Sequence, residues 1–175
     1  MEAQYSIERA QPEHLHTLPE IEQQAAALFE GWNVPKSVLE DSTPLEDFAT
    51  AQAAGLLWVA VSPQHQPVGF ALVERADAVL HLEELDVHPL HGQRGVGTAL
   101  VQAVCAWAHE QGYREITLTT YRDIPWNGPF YGRLGFVTLK GAELSRELQA
   151  RVKTEAERGL DPERRVVMRK VLGAG

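Results

Sequence analysis

Residues 85–101 read LDVHPLHGQRGVGTALV, and the change of character within this stretch decides the fold. It leaves a strand, crosses a turn carrying Gly92, Gly95 and Gly97, and enters a helix-periodic segment. Val96, Leu100, Val101, Val104 and Ala108 recur at three- and four-residue steps, which predicts a helix over 96–110 with its apolar stripe on a sheet. Gly112 closes it. Glycines in such a turn let the backbone approach a ligand, and the first helical amides remain unpaired donors. With the helix dipole they make an anion site suited to a pyrophosphate, and Arg94 adds a charge at its rim.

Three phosphate-binding patterns compete for this turn. A dinucleotide fingerprint starting at Gly95 requires Gly or Ala at position 100, where Leu100 stands. A Walker loop spanning Gly92 to Gly97 requires lysine where Thr98 stands. A coenzyme A turn is the third pattern, and it depends on what surrounds the segment.

Upstream, residues 4–9 alternate as a first strand. Pro12 opens a helix running to about Phe29, with Leu15, Leu18, Ile21, Ala25 and Leu28 on one face. A loop with Trp32 follows, then a helix over 44–54. Residues 56–62, 68–75 and 79–87 read as an antiparallel meander, its second turn at Ala76-Asp77. Downstream, 115–121 is a strand and 129–134 a short helix. A strand starts at FVTLK, a polar helix covers 142–157, and RRVVMRKV is the last strand. The expectation is one α+β domain over 1–175. Its central sheet is mixed and mostly antiparallel, with about seven strands flanked by helices.

VHPLHGQRGVGTALV resembles the cofactor motif of the GNAT N-acetyltransferase family, [QR]xxGx[GA] after a strand ending in Val-x-Pro. Gly92 stands where that motif has Gln or Arg. The amides of Gln93, Arg94, Gly95, Val96, Gly97 and Thr98 remain available to the pyrophosphate. A second segment, ITLTTYRDIPWNGPFYGRLGF (116–136), is similar to the family's later motif, with Asn127 at its pantetheine-contacting position and Tyr131 at its phenol beside the thioester sulfur. The resemblance implies a GNAT fold that opens as a V between strands 79–87 and 115–120, where pantetheine pairs with the backbone of Leu85 and Val87. It implies acetyl-CoA as cosubstrate. Homodimers are common in the family, though nothing in the sequence marks an interface.

Acetyl transfer to an amine needs a base, because an alkylamine of pKa about 10.4 is almost fully protonated at neutrality. Glu83 and Glu84 lie on the strand before the turn. Adjacent strand residues point to opposite faces, so one of them is expected in the cleft, Glu84 first and Glu83 if the strand carries a bulge. His81 is a third candidate. Tyr131 is the expected general acid toward the leaving thiolate, and the amide near Val87 the oxyanion donor. Trp32 is placed for a lid over the acceptor, while Trp58, Trp107 and Trp126 read as packing residues. His81, His88 and His91 lack a recognised metal spacing, so no metal is expected. A non-catalytic acyl-CoA-binding or regulatory module on the same fold is the alternative.

The composition limits partners. The formal charge is −8. Residues 1–50 hold ten acidic side chains against Arg9 and Lys36, whereas the remainder balances at fourteen of each sign. That argues against nucleic acid and suggests a small or protein-borne cationic amine as acceptor. A lone cysteine, Cys105, and the lack of a signal peptide or a membrane-length apolar run suit the cytoplasm.

Overall fold

Apolar runs of period two build the sheet, and the computed structural model describes residues 4–76 and 78–173. The strands are β1 (Ser6–Arg9), β2 (Leu57–Val61), β3 (Pro67–Ala76), β4 (Val79–Val87), β5 (Glu115–Tyr121), β6 (Val137–Leu139) and β7 (Arg165–Val171). They form one sheet in the order β1-β2-β3-β4-β5-β7-β6. Only β4 and β5 run parallel. Asp77, expected in the second turn of the meander, lies outside the described residues.

The helices are α1 (Leu18–Ala26), α2 (Lys36–Glu40), α3 (Leu45–Ala53), α4 (Val96–Glu110), α5 (Gly128–Arg133) and α6 (Arg146–Glu157). Helix α4 lays Val96, Leu100, Val101, Val104 and Ala108 against Leu80, Leu82, Ile116 and Leu118 of the sheet. On the opposite face Leu18 and Ile21 of α1 and Phe48 of α3 pack on Val59, Phe70 and Leu72. Cys105 is buried with the α4 core, and burial raises its thiol pKa.

Two expectations change. The first helix is not continuous: a 3-10 turn over Pro12–Thr17 precedes α1, and another over Ala27–Phe29 follows it. Pro19 explains the first break, because it has no amide to donate and suits the opening turn of a new helix. Helix α2, five residues long, falls in the stretch read as a loop.

Candidate active site

The parallel pair β4–β5 is short. Leu80 pairs with Ile116 and His81 with Thr117, and no further rung joins the two strands. From Leu82 to Val87, β4 therefore pairs only with β3, leaving a V-shaped gap on its other side. His88 N–H donates to Val68 O at 2.8 Å, which makes Val87 and Gly69 a pair that exchange no bonds of their own. Leu85, two residues earlier opposite Ala71, has the same sense. The N–H and C=O of Leu85 and Val87 thus point into the gap, where a ligand's amides can pair with them.

A bulge in β4 overturns the parity argument for the carboxylates. Leu72 faces Glu84 but Val73 faces Leu82, so Glu83 is an extra residue. A bulge turns consecutive side chains toward one face. Leu80, Leu82, Leu85 and Val87 pack with the α4 core. His81 instead meets Thr117, Glu83 meets Arg151 of α6, and Glu84 and Asp86 meet Glu22 of α1. Glu83 and Glu84 therefore share a face, contrary to the expectation that one of them would turn away.

Their surroundings differ. Glu83 is ion-paired with Arg151 at 2.7 Å. Its carboxyl pKa is raised, first by burial and then, against the pull of Arg151, by Glu74. Among the described residues Glu84 has no cation in contact. Its carboxylate oxygen lies within 4.8 Å of those of Asp86 and Glu22. Burial, then the charges of Asp86, Glu22 and Glu83, hold Glu84 well above the carboxylate range, with Arg165 opposing. Burial and Glu22 push Asp86 up to about 8. Glu22 is fixed from below by Thr43, whose N–H and hydroxyl each donate to it at 2.6 Å. Three carboxylates so close cannot all ionise without a cation among them.

Neither Asp86 nor Glu22 was singled out from the sequence. The signal for Glu22 was present: it sits within the stripe of Leu18, Ile21 and Ala25, where an unpaired acid is out of place. His81 is 2% exposed, its Nδ1 2.9 Å from the Thr117 hydroxyl. Burial and the Arg151 charge depress its pKa to about 3, so it is neutral and a poor base at the floor of the gap.

Tyr131 on α5 reaches the gap from the opposite face. Its ring packs against Phe130 at 5.0 Å and Phe136 at 5.6 Å between centroids. Its hydroxyl makes no hydrogen bond among the described residues. Burial raises its pKa most, followed by the charges of Asp86 and Glu84, so the phenol lies within their field. Asn127, just before α5, accepts from Tyr121 N–H through Oδ1 at 3.3 Å, which leaves its Nδ2 free to donate. Gly128 is required there: a Cβ would lie 2.7 Å from Arg122 O.

The glycine turn opens beside the same gap. Gly95 caps α4 with φ 81°, a left-handed conformation, and Gln93 takes φ 57°. A Cβ on Gly97 would meet Phe130 at 3.4 Å and Val87 at 3.8 Å, the side walls of the gap's mouth. The turn is braced by Tyr5, whose hydroxyl lies 2.8 Å from His91 Nδ1 and accepts from Arg94 at 3.3 Å. Gln93, Arg94, Gly95, Val96, Gly97 and Thr98 thus line the turn and the first turn of α4, with Gly92 closing the preceding 3-10 turn.

Comparison with known proteins bears on the family and the fold. Residues 10–136 match the model of the acetyltransferase (GNAT) family. The fold is similar to that of the PaiA N-acetyltransferase of Thermoplasma acidophilum, solved in complex with coenzyme A (TM-score 0.73, 16% identity, 96% of this chain and 99% of that one). It is also similar to N-acetylglutamate synthase of Neisseria gonorrhoeae, complexed with coenzyme A and N-acetyl-glutamate (TM-score 0.69, 17% identity, 98% and 36%). The ribosomal-protein-S18-alanine N-acetyltransferase of Escherichia coli is a third (TM-score 0.67, 16% identity, 98% and 97%). The chain belongs to the GNAT acetyltransferase family, a class whose activity is acyl-CoA-dependent acetyl transfer. No helix among the described residues is long and apolar enough to cross a membrane.

Proposed function

We propose that this protein is an N-acetyltransferase that moves the acetyl group of acetyl-CoA directly to a small cationic amine, both substrates being bound together. The observation that carries the reading is the cluster of Glu22, Glu84 and Asp86 at the open end of β4, with the Tyr131 phenol inside the field of Asp86 and Glu84. Amides of the Gln93–Thr98 turn hold the pyrophosphate, with Arg94 at the rim and Gly92 before it. Leu85, Val87 and Asn127 take the pantetheine arm.

An ammonium entering among the three acids supplies the cation they lack. Glu84 then removes a proton from it, and Glu83, held by Arg151, contributes field rather than proton transfer. A carboxyl pKa raised toward that of the amine makes the transfer less uphill than for an ordinary glutamate. The neutral nitrogen attacks the thioester carbon while Val87 N–H faces the developing oxyanion. As the C–S bond breaks, the Tyr131 hydroxyl gives its proton to the sulfur, and the second proton of the attacking nitrogen leaves to restore the phenol. Base and acid are coupled: once Glu84 is protonated, part of the negative field that makes Tyr131 a weak acid disappears.

Thiol release from acetyl-CoA across a panel of amines tests the reading. Cationic amines are expected to react, and Glu84→Gln to lose about 10²-fold or more in kcat. Binding of acetyl-CoA with no turnover on any amine would return the chain to a non-catalytic module.

A further inference from the structure

On the cleft face beyond His81 and Thr117, four aromatic residues meet: Phe29 and Trp32 from the connection between α1 and α2, Tyr121 at the end of β5, and Trp126 from the loop after it. Phe29 lies 5.4 Å from Trp126 and 6.1 Å from Tyr121, and Trp32 stands edge-on to Trp126 at 5.3 Å. This cluster hides two polar atoms that have no hydrogen-bond partner among the described residues, the Tyr121 hydroxyl and Trp126 Nε1. Tyr121 is 2% exposed. An unsatisfied buried donor is costly, and native folds keep few of them. Indole N–H only donates, so what it lacks is an oxygen or nitrogen acceptor.

The cluster adjoins the reaction site. Phe29 follows Glu22 by seven residues along α1 and the 3-10 turn after it, and the Arg165 guanidinium lies 4.8 Å from the Tyr121 ring centroid. Arg164 stands 5.1 Å from the same ring and donates to Trp32 O at 2.9 Å and to Asn33 O. The wall therefore offers two unpaired donors, while the Arg165 charge beside it is ion-paired with Glu155 at 2.7 Å. Its cover is Trp32, 40% exposed and set between Gly31 at φ 83° and Asn33 at φ 55°.

Building on the reaction proposed above, we infer that the acceptor carries a hydrogen-bond-accepting oxygen at the end remote from its amine. Tyr121 and Trp126 bind that oxygen once Trp32 swings aside. The amine goes to Glu22, Glu84 and Asp86, and the oxygen to the donor wall. Hydroxyl, carbonyl and carboxylate oxygens share this chemistry. Simple alkylamines and diamines lack it and leave both donors unpaired.

The test compares alkylamines and diamines with ω-amino alcohols, ω-amino amides and ω-amino acids of matched, increasing chain length. At the best length, the oxygen-bearing series is expected to exceed the plain amines in kcat/KM by about tenfold, the size of one good buried hydrogen bond. Preference for the amino acids over the alcohols identifies a carboxylate, and parity identifies a neutral oxygen. In Tyr121→Phe and Trp126→Phe the ratio falls toward unity, a change that general loss of packing does not produce because it lowers both series together. If a variant fails to fold, the wild-type ratio decides alone. Acetylation of all amines with no preference at any length overturns the inference and leaves the acetyltransferase reading standing. If no amine turns over, that reading fails, and melting temperatures with coenzyme A plus each amine still decide the inference. Equal stabilisation by both series overturns it.

Discussion

Asp86→Asn tests the electrostatics of the cleft with no ligand present. In the folded chain this carboxyl titrates at about 8, against 3.8 for an ordinary aspartate, because it is buried beside Glu22. Its folded value is raised, so the stability it contributes is present below the ordinary value and is lost as pH rises toward the folded one. Each pH unit of that interval is worth about 1.4 kcal/mol, which sets an upper bound of roughly 4 kcal/mol lost at neutral pH. Asp86 keeps partial contact with water, and screening brings the loss to about 2 kcal/mol. Asparagine resembles the protonated acid in shape and never charges, so the variant escapes the loss. It also relieves Glu84, whose own rise depends partly on Asp86. In a chain of this size about 2 kcal/mol corresponds to roughly 4–8 °C in Tm. Thermal unfolding of both proteins at constant ionic strength, from about pH 5 to about pH 8.5, should show the variant gaining stability over wild type as pH rises. A difference in Tm that stays flat across that range, or a wild type that gains on the variant at alkaline pH, refutes the argument.

Tyr131→Phe keeps the ring packing on Phe130 and Phe136 and removes only the hydroxyl. Turnover should fall by about 10- to 100-fold with little change in acetyl-CoA affinity, and unchanged turnover takes Tyr131 out of the acid role. Gly97→Val places methyl groups beyond a Cβ already 3.4 Å from Phe130 and 3.8 Å from Val87. Acetyl-CoA affinity, read by calorimetry, should drop by at least about tenfold, while Gly97→Ala is milder. Equal affinity in the valine variant would remove the pyrophosphate from that turn.

How far the sequence could be read depends on which periodicities the structure keeps. Helix α4 and strands β4 and β5 match their expected ranges because their apolar residues recur on schedule and glycines end the runs. The bulge at Glu83 breaks the schedule without any marker in the letters. A period of two applied to HLEELDV must separate Glu83 from Glu84, whereas the extra residue brings His81, Glu83, Glu84 and Asp86 to one face. Asp86 escapes notice for the same reason, since only the bulge sets it beside Glu84 and Glu83 on one face. Glu22 and the Tyr121–Trp126 wall illustrate a second limit. Glu22 meets Glu84 and Asp86, and Phe29 meets Tyr121 and Trp126, through contacts between distant parts of the chain that no local pattern encodes, and Trp126 alone looks like a packing residue. What local reading does detect is the violation. An acid on the core stripe of α1 and two adjacent acids on a strand that enters the core both stand out in the letters. A fold keeps such groups when they are satisfied together, and the cationic amine proposed as acceptor has the charge to satisfy them.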